Sequence, residues 1–208
     1  MLRFLLLAAG LLGVAGSAHT QVPAKPQGVY ATIDLAPMAE MIRRLEAQGQ
    51  RFAAAREVLK TPGSYMPAVL YAVANVLSGD RPEDAIFWYH VGRVRAVYDA
   101  FRCKDATSRN VIPEMGKRLS LELRRSQYYQ RNQLVGLAKK AVDWDAQNPR
   151  NYDQRWACLY GRVAQTSAGA DAAEVQKPEG EWPAILKHVQ DAHLKSVEQF
   201  ATVPPPNR

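Results

Sequence analysis

Three histidines in the interior of the chain are the side chains best suited to proton transfer or metal binding, because imidazole titrates near pH 6.5 and ligates metals. His188 and His193 lie five positions apart, which is about 140° around a helix of 3.6 residues per turn. They therefore cannot both bind one metal ion from a regular helix. His90, within the segment 88–91, is predicted to be a satisfied buried or edge histidine rather than a general base.

A cluster of oxygen-bearing side chains is the next candidate, because Ca²⁺ takes several oxygen ligands from one loop. The cluster surrounds Trp144 and comprises Asp143, Asp145, Asn148, Asn151 and Asp153. It departs from the EF-hand pattern, since Asn148 stands where that loop needs glycine and Gln154 where it needs a bidentate glutamate. The sequence instead favours a helix end, an Asn148-Pro149 turn and a cap at Asp153. No metal site is predicted.

Recognised catalytic signatures are missing from the sequence. It contains no GxSxG, SxxK or HExxH motif and no glycine-rich phosphate loop. A glycan-cleaving enzyme would need two carboxylates that face each other across a cleft, and the sequence alone pairs none. A cell-envelope hydrolase with an unrecognised carboxylate pair stays open as the alternative function, and no cofactor is predicted.

Charge placement is the most distinctive feature of the chain. Between residues 117 and 140 there are seven basic residues and one acid, Glu122, whereas the full chain carries a net charge of +7. We call the cationic and aromatic residues of this stretch the basic-aromatic face. It comprises Lys117, Arg118, Arg124, Arg125, Tyr128, Tyr129, Arg131, Lys139 and Lys140. The face is predicted to bind a protein partner or an anionic envelope component, and the alternative is a solvated surface that maintains solubility.

The first 18 residues have the order of a cleavable secretory signal peptide. Arg3 precedes an apolar or small-residue run over 4–15, and small residues follow at 16–18. Export makes nucleic acid an improbable target of the basic stretch and predicts a periplasmic or secreted protein without a mature transmembrane segment. Cleavage after Ala18 would leave His19 first, and cleavage after Gly16 would leave it third. Either position can bind copper, but the helical pattern disfavours the β-sandwich on which histidine-brace oxygenases are built.

The expectation of export also bears on the oxidation state of the two cysteines, Cys103 and Cys158. In an oxidising compartment an isolated pair most often forms a structural disulfide. No CxxC motif is present, so thioredoxin-like exchange is not supported. We predict one disulfide between residues separated by 55 positions.

The elements that must position these residues are helical throughout, because apolar residues recur at helical spacing and period-2 alternation is missing. The sequence predicts a single compact all-α domain of about 6–8 helices over residues 36–201. An irregular arm (19–35) precedes this domain and a proline-rich tail (202–208) follows it. The helix that begins at Pro82, with Asp80 and Glu83 in a capping-box relation, is apolar on more than one face and is predicted to be central. Further helices are predicted at 112–126, at 128–146, after Asp153 and at 181–201.

One helix junction resembles a known repeat. The segment 70–98 places Leu70-Tyr71-Ala72, then Ser78-Gly79-Asp80, then Asp84-Ala85 and Trp88-Tyr89, as at the junction of a Sel1-type or tetratricopeptide repeat. Together with the segments 142–145 and 150–156, the Phe87-Trp88-Tyr89 run is also similar to a group of uncharacterised bacterial exported helical proteins. This resemblance implies a helical fold and no particular activity.

These features together predict a non-enzymatic, exported, protein-binding module. An immunity or inhibitor-type protein would fit the size, the export route and the lack of a catalytic motif. The basic-aromatic face is the predicted binding surface.

Overall fold

A computed structural model of the chain describes residues 26–166 and 173–203. The predicted signal peptide, His19, the first part of the arm and the prolines of the tail lie outside the described residues. Within the described part the chain is all-α, as predicted. Its α-helices are α1 (Ala36–Glu46), α2 (Arg51–Val58), α3 (Pro67–Leu77), α4 (Pro82–Arg102), α5 (Val111–Lys117), α6 (Leu121–Tyr129), α7 (Arg131–Gln147) and α8 (Trp182–Thr202). None of these helices is long and apolar enough to cross a bilayer.

Short 3-10 helices join several of the α-helices. They are Gly28–Thr32, Pro62–Ser64, Ala106–Asn110, Gln154–Tyr160, Val163–Gln165 and Glu179–Glu181. Asp153 caps the fourth of them by accepting a hydrogen bond from the backbone N–H of Arg155. The cap predicted at Asp153 is therefore present, although the segment it opens is 3-10 rather than α-helical.

Proline and serine residues mark the starts of several helices, whereas the predicted acidic cap at Asp80 does not. Pro67 and Pro82 occupy the first positions of α3 and α4, where the missing N–H has no intrahelical partner to lose. The predicted capping box at Asp80 is wrong: Arg81 holds the cap position of α4, and no side chain caps this helix. The single helix predicted over 112–126 is likewise two helices. Ser120 separates them, and its hydroxyl accepts from the backbone N–H of Leu123 to begin α6.

Helix α4 is the centre of the domain, as the sequence predicts. It contacts α3, α5, α6, α7 and α8. Its closest partner is α3, and Gly92 permits this approach: a Cβ atom at that position would lie 2.9 Å from the ring of Tyr71 and 3.2 Å from the Cβ of Leu70. Any larger residue would therefore push α3 away from α4.

The predicted disulfide joins the end of α4 to the 3-10 helix Gln154–Tyr160. Cys103 and Cys158 are both buried, and their Cα atoms are 5.4 Å apart. Next to this bond Trp156 is completely buried in the core. The disulfide thus fixes the segment after α7 against the central helix.

Candidate functional site

Charged residues lie inside the core along one row of α4. Arg95 and Asp145 have completely buried side chains, and the guanidinium of Arg95 donates to the Asp145 carboxylate at 2.6 Å. Arg150 donates to the other oxygen of the same carboxylate. Arg95 also donates to the backbone carbonyl of Asn148 at 3.1 Å. These contacts fasten the end of α7 to α4.

A second buried carboxylate, Asp99, lies one turn further along α4. One of its oxygens accepts hydrogen bonds from the hydroxyl of Tyr152 at 2.9 Å and from the indole N–H of Trp156 at 2.8 Å. Burial raises the pKa of Asp99 to about 7, and the Tyr152 and Trp156 hydrogen bonds hold it from rising further. Because Asp99 is fully buried, we assign it to the stability of the core rather than to chemistry on a solvent-borne substrate.

Arg102 ends the row. Its guanidinium stacks 3.4 Å from the ring centre of Trp182 at the start of α8 and donates to the side chains of Gln154 and Gln176. The row Arg95, Asp99 and Arg102 therefore binds α7, the 150–156 segment and α8 to the central helix. Removing one partner of such a buried charged contact strongly destabilises a fold. We therefore assign these residues a structural role rather than a catalytic one.

A pair of buried histidines lies where α4 meets α8. His90 of α4 and His193 of α8 are buried, and their imidazoles are hydrogen-bonded, Nδ1 to Nε2, at 3.1 Å. Burial lowers the pKa of His90 well below its usual value, and His193 and Arg93 lower it further. Burial, aided by Arg93, lowers the pKa of His193 to about 4. At neutral pH both rings are therefore uncharged, and one donates to the other.

An open cleft of about 240 Å³ lies over this histidine pair, and we call it the histidine cleft. It is lined by Tyr89, His90, Arg93, Gln127, Leu134, His193, Ser196, Val197 and Phe200. A smaller cavity of about 130 Å³ continues along α4 and α8, and it shares Arg93, His193 and Ser196 with the cleft. His188 lines this smaller cavity, so the structure brings all three interior histidines to one groove.

The residues of the basic-aromatic face are spread over three helices. Lys117 and Arg118 end α5, and Arg118 also lines a cavity of about 380 Å³ against α1. Lys139 and Lys140 are exposed on α7. The remaining members belong to α6 or to the start of α7, and the ring of Tyr128 lies 5.0 Å from that of Phe200 on α8. Tyr128 thus touches a residue that lines the histidine cleft.

Several of these basic side chains have partners within the chain. Lys117 forms an exposed ion pair with Glu114 at 2.6 Å. Arg124 donates to the backbone carbonyls of Gly116 and Leu119, and so helps to terminate α5. The guanidinium of Arg131 donates to the carbonyl of Val203 at 2.8 Å, which ties α7 to the end of α8.

An outward surface on α6 combines the most exposed apolar side chains with a cation. We call it the α6 face, and it comprises Leu121, Arg125, Tyr128 and Tyr129. At 100° per residue these positions fall within an arc of about 100°. Tyr129 is 75% exposed and Leu121 is 55% exposed. On the opposite side of the helix Leu123 is completely buried, which fixes the orientation of this face.

The acidic residues near Trp144 do not form one common site, because two of them are engaged by different arginines. Asp145 is committed to Arg95 and Arg150, and Asp153 is occupied by Arg155 and its own cap. Among the residues that the structure describes, no group of three or more His, Cys, Asp or Glu side chains has the arrangement of a metal site.

The histidine cleft is the feature that sequence reasoning missed. His90 and His193 are 103 residues apart, and nothing local connects them. A usable signal was nevertheless present, because Val189, His193 and Val197 form one i, i+4, i+8 row and all three are buried. A histidine between two core valines on a helix is expected to need a buried partner.

Comparison of the chain with protein-family models, with curated proteins and with solved structures finds no match.

Proposed function

We propose that this protein is a non-enzymatic, exported binding module that docks on an acidic protein partner through the α6 face. An immunity or inhibitor-type protein would fit its size and its signal-like amino-terminal sequence. The single observation that carries the proposal is the concentration of exposed apolar side chains on one short helix.

That concentration is specific to α6. In the described part of the chain, five large hydrophobic side chains are exposed, and three of them lie on this nine-residue helix. They are Leu121, Tyr128 and Tyr129. Isolated exposed apolar residues are ordinary on a soluble protein, whereas an adjacent group of them marks an interaction surface.

The chemistry of the α6 face supports a protein partner. Tyrosine and arginine are the residue types that most often dominate the binding energy of protein interfaces, and Arg125 lies between Leu121 and the two tyrosines. The surrounding stretch 117–140 carries a net charge of +6, so an acidic partner would be attracted over the screening distance of about 10 Å at 0.1 M salt.

The α6 face is also held in place before any partner arrives. Leu123 is anchored in the core, Tyr128 packs on Phe200, and Arg131 binds the carbonyl of Val203. Because these contacts already fix the helix, the ordering cost of association falls mainly on the exposed side chains of the face.

Matched charge variants test the proposal. The protein is immobilised, envelope extract from its native host is passed over it, and each captured protein is quantified by mass spectrometry. Arg125→Glu and Tyr129→Ala should each reduce capture of one acidic protein at least about tenfold, as expected for central interface residues. Lys60→Glu changes the charge by the same amount at an exposed lysine that follows α2, and should leave that capture unchanged.

Two results would contradict the proposal. One is that Arg125→Glu and Lys60→Glu reduce capture equally, which would indicate a diffuse charge effect. The other is that the wild-type protein binds vesicles with anionic lipid headgroups as strongly as it binds any protein, with the same loss in Arg125→Glu. The second result would assign the face to the membrane surface instead.

A further inference from the structure

The histidine cleft has a polar floor with a single fixed charge. Arg93 is the one permanently charged residue in its lining, and no carboxylate contributes to the lining of the cleft or of the smaller cavity beside it. Burial works against the charge on Arg93, but the neighbouring Tyr89 and Tyr71 hydroxyls raise its pKa above the ordinary value. A cation without a lining counter-charge favours an anionic ligand.

One buried polar atom of the lining lacks a partner. The Nε2 atom of His90 is withdrawn from solvent and makes no hydrogen bond to any described residue, although His90 is almost completely buried. Buried polar atoms are nearly always hydrogen-bonded in folded proteins, so an unpartnered one on a residue that lines the cleft points to a bound group as its partner. Its Nδ1 atom is already engaged by His193, which leaves Nε2 for that group.

The other walls of the cleft are apolar. Leu134 of α7 and Val197 and Phe200 of α8 are apolar residues of its lining. Small-molecule sites usually combine such walls with a few convergent polar groups, and those that hold drug-sized molecules measure about 300–1,000 Å³. At about 240 Å³ this cleft suits a smaller molecule.

From these features we infer that the histidine cleft is a binding site for a small monocarboxylate with a short apolar chain. The carboxylate binds Arg93, with the Ser196 hydroxyl and the His90 imidazole as further partners, and the chain packs against Leu134 and Phe200. The inference goes beyond the proposed docking function, because it uses neither Arg125 nor Tyr129. Either can fail without the other.

Hexanoate is a suitable probe, with hexanol and hexylamine as neutral and cationic molecules of the same chain length. Titrations of the full protein are followed by calorimetry and by the NMR signals of the three imidazoles described above. Hexanoate should bind saturably and shift the signals of His90 and His193. Hexanol and hexylamine should bind at least about tenfold more weakly, because a charge-assisted hydrogen bond to arginine is lost.

Two variants on the cleft and one outside it complete the test. Arg93→Gln should weaken hexanoate binding at least about tenfold. Because Arg93 is partly buried, Ser196→Asp provides a second test from an exposed position of α8 by placing a negative charge at the cleft. It should abolish binding, whereas Arg125→Gln on the α6 face should leave it unchanged. The inference is overturned if hexanoate does not saturate, if hexanol binds equally well, or if Ser196→Asp binds hexanoate like the wild type.

Discussion

The imidazole of His90 on α4 is hydrogen-bonded to the imidazole of His193 on α8 at 3.1 Å, and both rings are buried. One proton lies between two nitrogens in this arrangement. Adding a proton to each ring would place two N–H groups against each other, next to the positive charge of Arg93. The contact between α4 and α8 therefore depends on the neutral state of the pair.

Acid should destabilise the protein through this histidine pair. The folded-state pKa of His193 is about 4, below the unfolded value of 6.5, and that of His90 is also lowered. Their stabilisation is present above pH 6.5 and is lost as the pH falls toward 4. We expect His193→Gln to reduce the slope of unfolding free energy against pH by up to about 1.4 kcal/mol per pH unit in this window.

Urea unfolding at several pH values between 7.5 and 4 measures this slope. Asp99 acts in the opposite direction, since its raised pKa of about 7 gives stabilisation that is complete at low pH and lost as the pH rises through 7. Because wild type and the histidine variants all retain Asp99, the difference between their slopes excludes the contribution of Asp99. His188→Gln is the control, because it removes an exposed imidazole that takes no part in the hydrogen bond between His90 and His193. An identical slope in wild type and His193→Gln would refute the assignment.

The buried Arg95–Asp145 pair should be the most sensitive point of the core. Arg95→Met leaves Asp145 buried with Arg150 as its remaining cationic partner, and breaking such a pair costs about 3–5 kcal/mol. Adding Asp145→Leu to this variant should recover part of the loss, because it removes the buried carboxylate that has lost Arg95. Denaturant unfolding of the two single variants and the double variant measures the coupling. A single variant within about 1 kcal/mol of wild type would contradict this account.

A pair of glycine substitutions tests the close approach of α3 and α4. Gly92→Ala should destabilise the protein by about 1–3 kcal/mol, because the new Cβ would meet the Tyr71 ring at 2.9 Å. Gly136→Ala in α7 is the matched control. Its Cβ meets no atom within 4 Å, so the variant should gain about 0.5–1 kcal/mol from helix propensity. Equal effects at the two positions would show that helix propensity, not packing, decides both.

The disulfide should stabilise the folded protein mainly by restricting the conformations of the unfolded chain. A bond that closes a 55-residue loop is worth about 4 kcal/mol in the chain-entropy model. The double variant Cys103→Ala/Cys158→Ala should therefore unfold at a much lower urea concentration than the oxidised protein. Mass spectrometry without reductant should find the oxidised form about 2 Da lighter than the dithiol. Two free thiols in protein purified from its native compartment would contradict the bond.

Much of the helical framework could be predicted from local signals. Proline at the start of α4, and the apolar row from Ile185 to Phe200 in α8, locate both helices to within about one residue. The expectation of export, together with the presence of two cysteines, predicts the disulfide that the structure contains. The prediction is wrong where several local signals compete. Ser120 begins a new helix inside an apparently continuous helical pattern. Asp80 has the sequence pattern of a helix cap, but Arg81 occupies the cap position of α4.

The partners of the buried charged residues and of the buried histidines could not be predicted from the sequence. Arg95, Asp99 and Arg102 recur at i, i+4 and i+7, which places three charged side chains on one row of α4. Only the tertiary structure identifies their partners, which lie between about 50 and 80 residues further along the chain. The pairing of His90 with His193 has the same origin in long-range packing.

The most direct test of the proposed function is site-specific photocrosslinking from Tyr129 in cells that produce the protein. A photoreactive phenylalanine at position 129 should form a crosslink with one acidic protein, and the added charge of Arg125→Glu should abolish it. The same residue at Phe52, an exposed aromatic position of α2, should not form that crosslink. If positions 129 and 52 give the same products, or if the crosslink survives Arg125→Glu, the α6 face is not the docking surface.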